Sequence, residues 1–184
     1  MSAGTLPGDD IIPSPSMLYN QSITINAPPS SIFPWLLQLG KSRGGWYAPV
    51  WLERILPTSW RATRQIHPEW QNLSVGDRVS DYGFSRDDFF VVAAIEAERV
   101  LVYRSERYGC RFSWALLLRQ DGEGREEVDE GEVKTMVQLR FRGRIGSEGW
   151  KRAVIVWAGG KMDSLTTRPM LKGLKERVER VHGE

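Results

Sequence analysis

Tyr47, Glu53 and His67 are the side chains of this chain best suited to move a proton. Tyr47 and Glu53 share one short stretch, GGWYAPVWLERIL (Gly44 to Leu56), in which two glycines precede three aromatic side chains and a carboxylate stands beside Arg54. A tyrosine hydroxyl donates to a developing oxyanion, and a carboxylate or imidazole acts as acid or base, each worth about 10²–10⁴-fold in rate when well placed. The glycines permit a sharp turn and close approach of a ligand to the backbone. On that reading Trp46, Tyr47 and Trp51 gate an apolar pocket. Packing accounts for the same stretch without a ligand: the aromatics staple a short helix to a sheet, and Glu53 bonds a backbone N–H or an arginine. Trp46 and Tyr47 lean towards pocket wall, Trp51 and Glu53 towards scaffold. His67, in IHPEWQ, is of a residue type that serves as acid or base, but its place before Pro68 equally suits an exposed loop, pinned by Glu69.

Other chemistries find no footing. Two distant histidines and one cysteine, Cys110, make no metal-ligand cluster. No glycine-rich loop has phosphate-binding spacing, so neither metal nor other cofactor is expected. Cys110 has no internal disulfide partner, suits a reducing compartment and reads as a buried, inert thiol. The net charge is +2, with Lys and Arg scattered among Asp and Glu, which leaves no electrostatic footprint for nucleic acid. The first residues lack the basic and apolar regions of a secretory signal, and no run is long enough to span a bilayer. The expectation is a cytoplasmic protein with neither nucleic acid nor membrane as partner. With 184 residues, 26% charged and 41% hydrophobic, it reads as one globular domain over 17–184 behind a flexible leader, 1–16.

The elements that must position these groups follow from periodicity. Alternation predicts strands over Met17–Asn26, Asp88–Glu96, Val100–Glu106, Arg111–Gln120 and Lys134–Arg144, a further strand opening at VGDRV, and short connections typical of an antiparallel meander. On the last strand Val137, Leu139 and Phe141 face one way and Gln138, Arg140 and Arg142 the other, so one face is covered and one wet. If Leu101 and Tyr103 face inward, Arg104 faces out, and the buried Tyr103 hydroxyl needs a partner. A helix follows Ser30 and Ser31 as candidate caps, with Ile32, Trp35, Leu36 and Leu39 on one face. A second short helix, APVWLERIL, offers Val50, Leu52, Ile55 and Leu56 to the core. DGEGREEVDEGE reads as an exposed acidic hairpin loop. The tail from Ser147 to Val181 reads as a helix kinked at Pro169 and weakened at Gly159-Gly160.

In order, ITINAPPSSIFPWLLQLG, RGGWYAPVWLE, IHPEWQNLSVGDRV, FSWALLL and RPMLKGLKERVE resemble the START-like, or SRPBCC, superfamily, and more closely its uncharacterised microbial branch. The resemblance spans about Ile23 to Glu179. It implies an α+β helix-grip fold: a curved antiparallel sheet wrapped on a long C-terminal helix, with two short helices after the first strand. It also implies a central cavity that takes a small hydrophobic molecule of polyketide, terpenoid or lipid type. Trp46, Tyr47, Phe89, Phe90, Tyr103 and Trp114 are the expected lining. Two functions fit such a cavity. One is cofactor-independent cyclisation or isomerisation through Tyr47, Glu53 and His67; the alternative is a non-catalytic carrier or sensor.

Overall fold

The architecture is seen in a computed structural model, which describes residues 5–55, 57–81, 88–107, 109–120, 133–146 and 167–181. Six strands form one antiparallel sheet: β1 (Met17–Ile25), β2 (Arg78–Ser80), β3 (Phe89–Glu96), β4 (Val100–Arg107), β5 (Cys110–Gln120) and β6 (Thr135–Ile145), in the spatial order β1-β6-β5-β4-β3-β2. The first strand thus closes beside the last, and the others form a meander. Two helices, α1 (Pro29–Leu37) and α2 (Val50–Ile55), follow β1, and a C-terminal helix, α3, runs over 167–181. The sheet curves around α1 and α3. This is the α+β helix-grip arrangement.

Cross-strand register fixes what each face carries. Trp114 pairs with both Tyr103 and Phe141, and Leu116 pairs with Leu101 and Leu139. These residues share the concave face; Leu101, Tyr103, Trp114, Leu116 and Leu139 join Ile32, Trp35 and Leu36 of α1 and Met170, Leu171, Leu174 and Val178 of α3 in the main core, while Phe141 packs with Met17, Cys110 and Ile145 in a smaller cluster. Tyr103 is buried and Arg104 exposed, as alternation predicts. A register shift between Val92 and Ala94 puts an extra residue into β3, the kind of bulge that bends and twists a strand.

The convex face is not simply wet. Residues 5–16, expected as a flexible leader, lie across it as a strap. Ile12 is buried, and Leu6 and Ile11 pack against Val100, Val102, Ala115 and Leu117. Asp9 accepts hydrogen bonds from Arg140 at 2.7 and 3.1 Å and pairs with Arg142 at 3.0 Å. Arg142 also donates to the Ile12 and Pro13 carbonyls. Burial works against the Asp9 carboxylate, but Arg140, the Leu6 N–H and Arg142 together hold its carboxyl below the ordinary range. The arginines expected to face water on β6 are instead what holds the strap.

Helix α1 starts with Pro28 as N-cap and Pro29 in its first turn rather than with a serine cap. Its last carbonyls, which have no partner within the helix, are met from elsewhere. Gln71 donates to the Pro34 oxygen (3.3 Å), Tyr47 to that of Trp35 (2.7 Å) and Arg43 to that of Leu37 (3.0 Å). Helix α2 inverts the expected pattern. Val50, Trp51 and Ile55 are exposed, Trp51 by 65%, while Glu53 is buried. The scaffold role expected of Trp51 is therefore corrected, and Leu56 lies outside the described residues. So do the acidic run at 121–132, most of the tail at 147–166 with Gly159 and Gly160, and Tyr82.

Candidate functional site

The two glycines that open GGWYAPVWLERIL serve the backbone. Gly45 adopts φ +82°, and a Cβ there would lie 2.8 Å from that of Ala62. The chain turns back between Gly40 and Gly45, which exchange backbone hydrogen bonds. This turn sends the two aromatics that follow in different directions. Tyr47 enters the core at 2% exposure, edge-on to Trp35 at 5.8 Å. Trp46 goes to the sheet.

Tyr47, Glu53 and His67 are brought together in one hydrogen-bonded network. The Tyr47 hydroxyl donates to the Trp35 carbonyl and accepts from Gln38 Nε2 at 3.1 Å. Gln38 Oε1 accepts from the His67 backbone N–H at 3.1 Å. The His67 ring lies 3.0 Å from Thr63 Oγ1 and 3.2 Å from Glu69, against the Trp70 ring. Arg177 of α3 bonds Glu53, the Thr63 carbonyl and the Ala48 carbonyl, and its guanidinium covers the Tyr47 ring at 4.7 Å. Arg64 holds the other Glu53 oxygen. Burial lifts the Tyr47 hydroxyl far above its ordinary pKa, with Gln38 and Arg177 opposing. It also holds Arg177 below its own ordinary value, against the pull of Glu53. The three candidate acids and bases are thus placed where the α1–α2 loops meet α3, with their polar atoms engaged by the protein.

A different cluster lies on the concave face around Phe90. Its ring centroid is 5.8 Å from Tyr103, 5.8 Å from Trp114 in a stacked pair, and 5.9 Å from Trp46. Trp46 and Trp114 approach to 5.2 Å. The Arg107 guanidinium sits 5.0 Å from the Phe90 centroid and 5.5 Å from that of Phe112, beyond which Phe141 and Tyr19 extend the aromatic wall. Phe89 faces the other side of β3, under Arg78 at 4.4 Å, so Phe90 rather than Phe89 belongs to this wall.

The polar atoms of this cluster differ from those around Tyr47. Trp46 Nε1, Trp114 Nε1, the Tyr103 hydroxyl, Arg107 Nη1 and Arg43 Nε are buried and have no hydrogen-bond partner among the described residues. Tyr103 is 0% exposed. Burial drives its pKa far up, with the Arg43 charge opposing. Of these residues, Trp46, Tyr103 and Trp114 were expected on the wall. Arg107 was not, although alternation with Leu101 and Tyr103 along β4 puts it there. Nothing in the local sequence marks Arg43.

Elsewhere the described residues offer less. Cys110 is buried, which raises its thiol pKa. Two open grooves border the strap, one of about 380 Å³ lined by residues such as Gly8, Ile11, Ala94 and Arg104, and one of about 220 Å³ lined by residues such as Ile12, Phe89, Arg107 and Phe112. Neither brings together buried, unpaired polar atoms. Among the described residues no three His, Cys, Asp or Glu side chains stand together, and no helix is long and apolar enough to cross a membrane.

No protein-family model and no curated protein matches the chain. Solved structures do align with most of it. The protein SSP2350 from Staphylococcus saprophyticus is 12% identical over 91% of this chain and 93% of its own, with a TM-score of 0.46. The protein XoxI from Bacillus cereus is 11% identical over 90% and 98%, with a TM-score of 0.45. Ara h 8.0201 is 14% identical over 88% and 96%, with a TM-score of 0.42. Likeness at these levels reaches neither ligand nor activity.

Proposed function

We propose that this protein binds a small hydrophobic molecule between the concave face of the sheet and its C-terminal helix, as members of the START-like superfamily do. Trp46, Phe90, Tyr103 and Trp114 form the wall of that site. The observation that supports this reading is the Phe90 cluster itself: apolar enough to hold a hydrophobic skeleton, and carrying buried polar atoms that no protein group satisfies. Most buried polar groups of native proteins are paired, so several unpaired ones in one place point to a partner from outside the chain. Molecules of polyketide, terpenoid or lipid type have the required apolarity.

Within this reading we favour a carrier or sensor over a cofactor-independent cyclase or isomerase. Tyr47, Glu53 and His67 have protein partners for the atoms that would do the chemistry, and Asp81 and Asp88 lie against Arg107 at 2.6 and 4.0 Å. Holding a ligand needs only the wall and its donors. Native mass spectrometry of protein purified from its own host tests the reading, with a co-purifying small molecule of low polarity as the expected result. If no such molecule is retained and no hydrophobic dye binds the folded protein, the reading fails. Turnover of an identified ligand that is lost in Tyr47→Phe, Glu53→Gln or His67→Ala, with folding verified, would restore the enzymatic alternative.

A further inference from the structure

The unpaired atoms on the wall say more about the ligand than that it is apolar. An indole N–H can only donate, a guanidinium N–H can only donate, and a phenol can do either. Four of the five buried, unbonded atoms around Phe90 and Tyr103 (Trp46 Nε1, Trp114 Nε1, Arg107 Nη1 and Arg43 Nε) are therefore obligate donors, and the fifth is the Tyr103 hydroxyl. No acceptor is left unpaired beside them among the described residues. The positive charge of Arg107 is matched by Asp81 at 2.6 Å and Asp88 at 4.0 Å. Arg43 is spent on the carbonyls of Leu37 and Trp70, at 3.0 and 2.8 Å. Apart from the Tyr103 oxygen, what is unmet on the wall is hydrogens. The rings of Trp46, Phe90 and Trp114 pack on one another at 5.2–5.9 Å, centroid to centroid, so the donors are held on a fixed apolar surface.

We infer that the ligand is an apolar molecule bearing carbonyl or ether oxygens and few donors of its own, with Tyr103 and Trp114 donating to one of those oxygens. The inference rests on the binding reading above and narrows it. A hydrocarbon of the same shape fills the wall but leaves every donor unmet. A hydroxyl or amine can accept through its own lone pair, but it brings hydrogens for which the wall offers only the Tyr103 oxygen. Only acceptors remove the desolvation cost that the unliganded cluster carries.

The test uses two probes with one skeleton, fluorene and 9-fluorenone, which differ by a CH₂ against a C=O. Each competes with a fluorescent anilinonaphthalene dye for the full-length protein. Fluorenone is expected to displace the dye at roughly tenfold lower concentration than fluorene, the return from satisfying one buried donor. That preference opposes the order set by hydrophobic transfer, since fluorene is the more apolar of the two. In Tyr103→Phe and Trp114→Phe, which keep a ring on the wall, the ratio is expected to fall towards one while the fluorene curve holds. Equal displacement by the two probes in the wild type would overturn the inference and leave the binding reading intact. Failure of the dye and of both probes to bind a folded protein would overturn the binding reading and the inference with it. A ratio of tenfold that survives both substitutions would show that other donors are responsible and would overturn the assignment to Tyr103 and Trp114.

Discussion

Two tyrosines of this protein are almost completely shielded from water, and removing one oxygen from each is expected to move stability in opposite directions. Tyr47 is 2% exposed and Tyr103 0%. The Tyr47 hydroxyl donates to the Trp35 carbonyl at 2.7 Å and accepts from Gln38 at 3.1 Å. Tyr47→Phe removes both bonds and strips the Trp35 carbonyl of its side-chain cap, although Gln38 Nε2 keeps the Gln65 carbonyl at 3.1 Å. Leaving a buried acceptor unmet costs about 1–3 kcal/mol. The Tyr103 hydroxyl makes no bond, so Tyr103→Phe removes a desolvated group and no interaction. The gain is the same kind of quantity with the sign reversed, about 1–2 kcal/mol.

For a chain of this size each kcal/mol moves the melting temperature by roughly 2–4 °C. Tyr103→Phe should therefore melt about 2–8 °C above the wild type and Tyr47→Phe below it, with the urea midpoints following the same order. Tryptophan emission and far-UV circular dichroism give both midpoints, and coincidence of the two probes supports a two-state comparison. A saturating acceptor ligand should then erase the advantage of Tyr103→Phe, because only the wild type has a hydroxyl to offer it. Destabilisation of Tyr103→Phe by 1 kcal/mol or more in the unliganded protein would refute the reasoning: the hydroxyl would have a partner within the folded protein, and the wall would lose its clearest mark of a site.

Other substitutions separate scaffold from surface. Trp51→Ala should shift stability by no more than about 0.5 kcal/mol, as for an exposed residue, whereas a loss near that of a core aromatic in chemical denaturation would show that the ring is covered in solution. Glu53→Gln should cost roughly 3–5 kcal/mol in the same assay, because it leaves Arg177 buried without its counter-charge. Gly173→Ala would place a methyl 2.5 Å from the Ala48 carbonyl carbon, and a loss of about 1–3 kcal/mol in urea is expected from the overpacking. The strap should respond to acid. The Asp9 carboxyl is held below its ordinary value in the folded protein, so its contribution is complete above about pH 4 and is lost as the pH falls through the lowered value; NMR should show the Ile12 methyl moving to an unpacked shift before the sheet amides change, and Asp9→Asn should mimic this at neutral pH.

The strands were legible because their information is local. Alternation on β4 put Tyr103 inside and Arg104 outside from the sequence alone, and the five long strands end within one or two residues of their expected bounds. The same rule carried four residues beyond Tyr103 would have placed Arg107 on the wall. What the sequence concealed depends on partners far along the chain. GDDIIPSPS looks like a leader because prolines and acids dominate it; what makes it a strap is Asp9 meeting Arg140 and Arg142, some 130 positions away. Helix α2 has six residues, too few for a periodicity to declare its buried side. Its apolar residues suggested core, but the side that faces inward was decided by Arg177 reaching Glu53 from α3. Trp46, Phe90, Tyr103 and Trp114 were expected as pocket lining together with Tyr47 and Phe89, on aromatic content and the family resemblance, which did not tell Phe90 from Phe89. That the donors on the wall are unpaired could not be expected, since an unmet hydrogen bond is a property of all the surroundings at once.

This last property gives the site its argument. The chain has no difficulty satisfying buried polar groups. It meets three of the final carbonyls of α1 with side chains of Arg43, Tyr47 and Gln71, and it surrounds Arg177 with two carbonyls and a carboxylate beyond its own helix. In the same low-dielectric interior, two indoles, a phenol and two guanidinium nitrogens on the concave side go unmet. Unpaired groups in such surroundings cost more than they would near water, and a sequence free to vary could remove each with a single change, Tyr to Phe or Trp to Phe. Local rules broken without a compensating contact are where function is to be sought. The contrast lies within one molecule, with Trp46 and Tyr47 adjacent in sequence and on opposite sides of it. On the proposed reading Trp46 belongs with the ligand and Tyr47 with the frame that holds it.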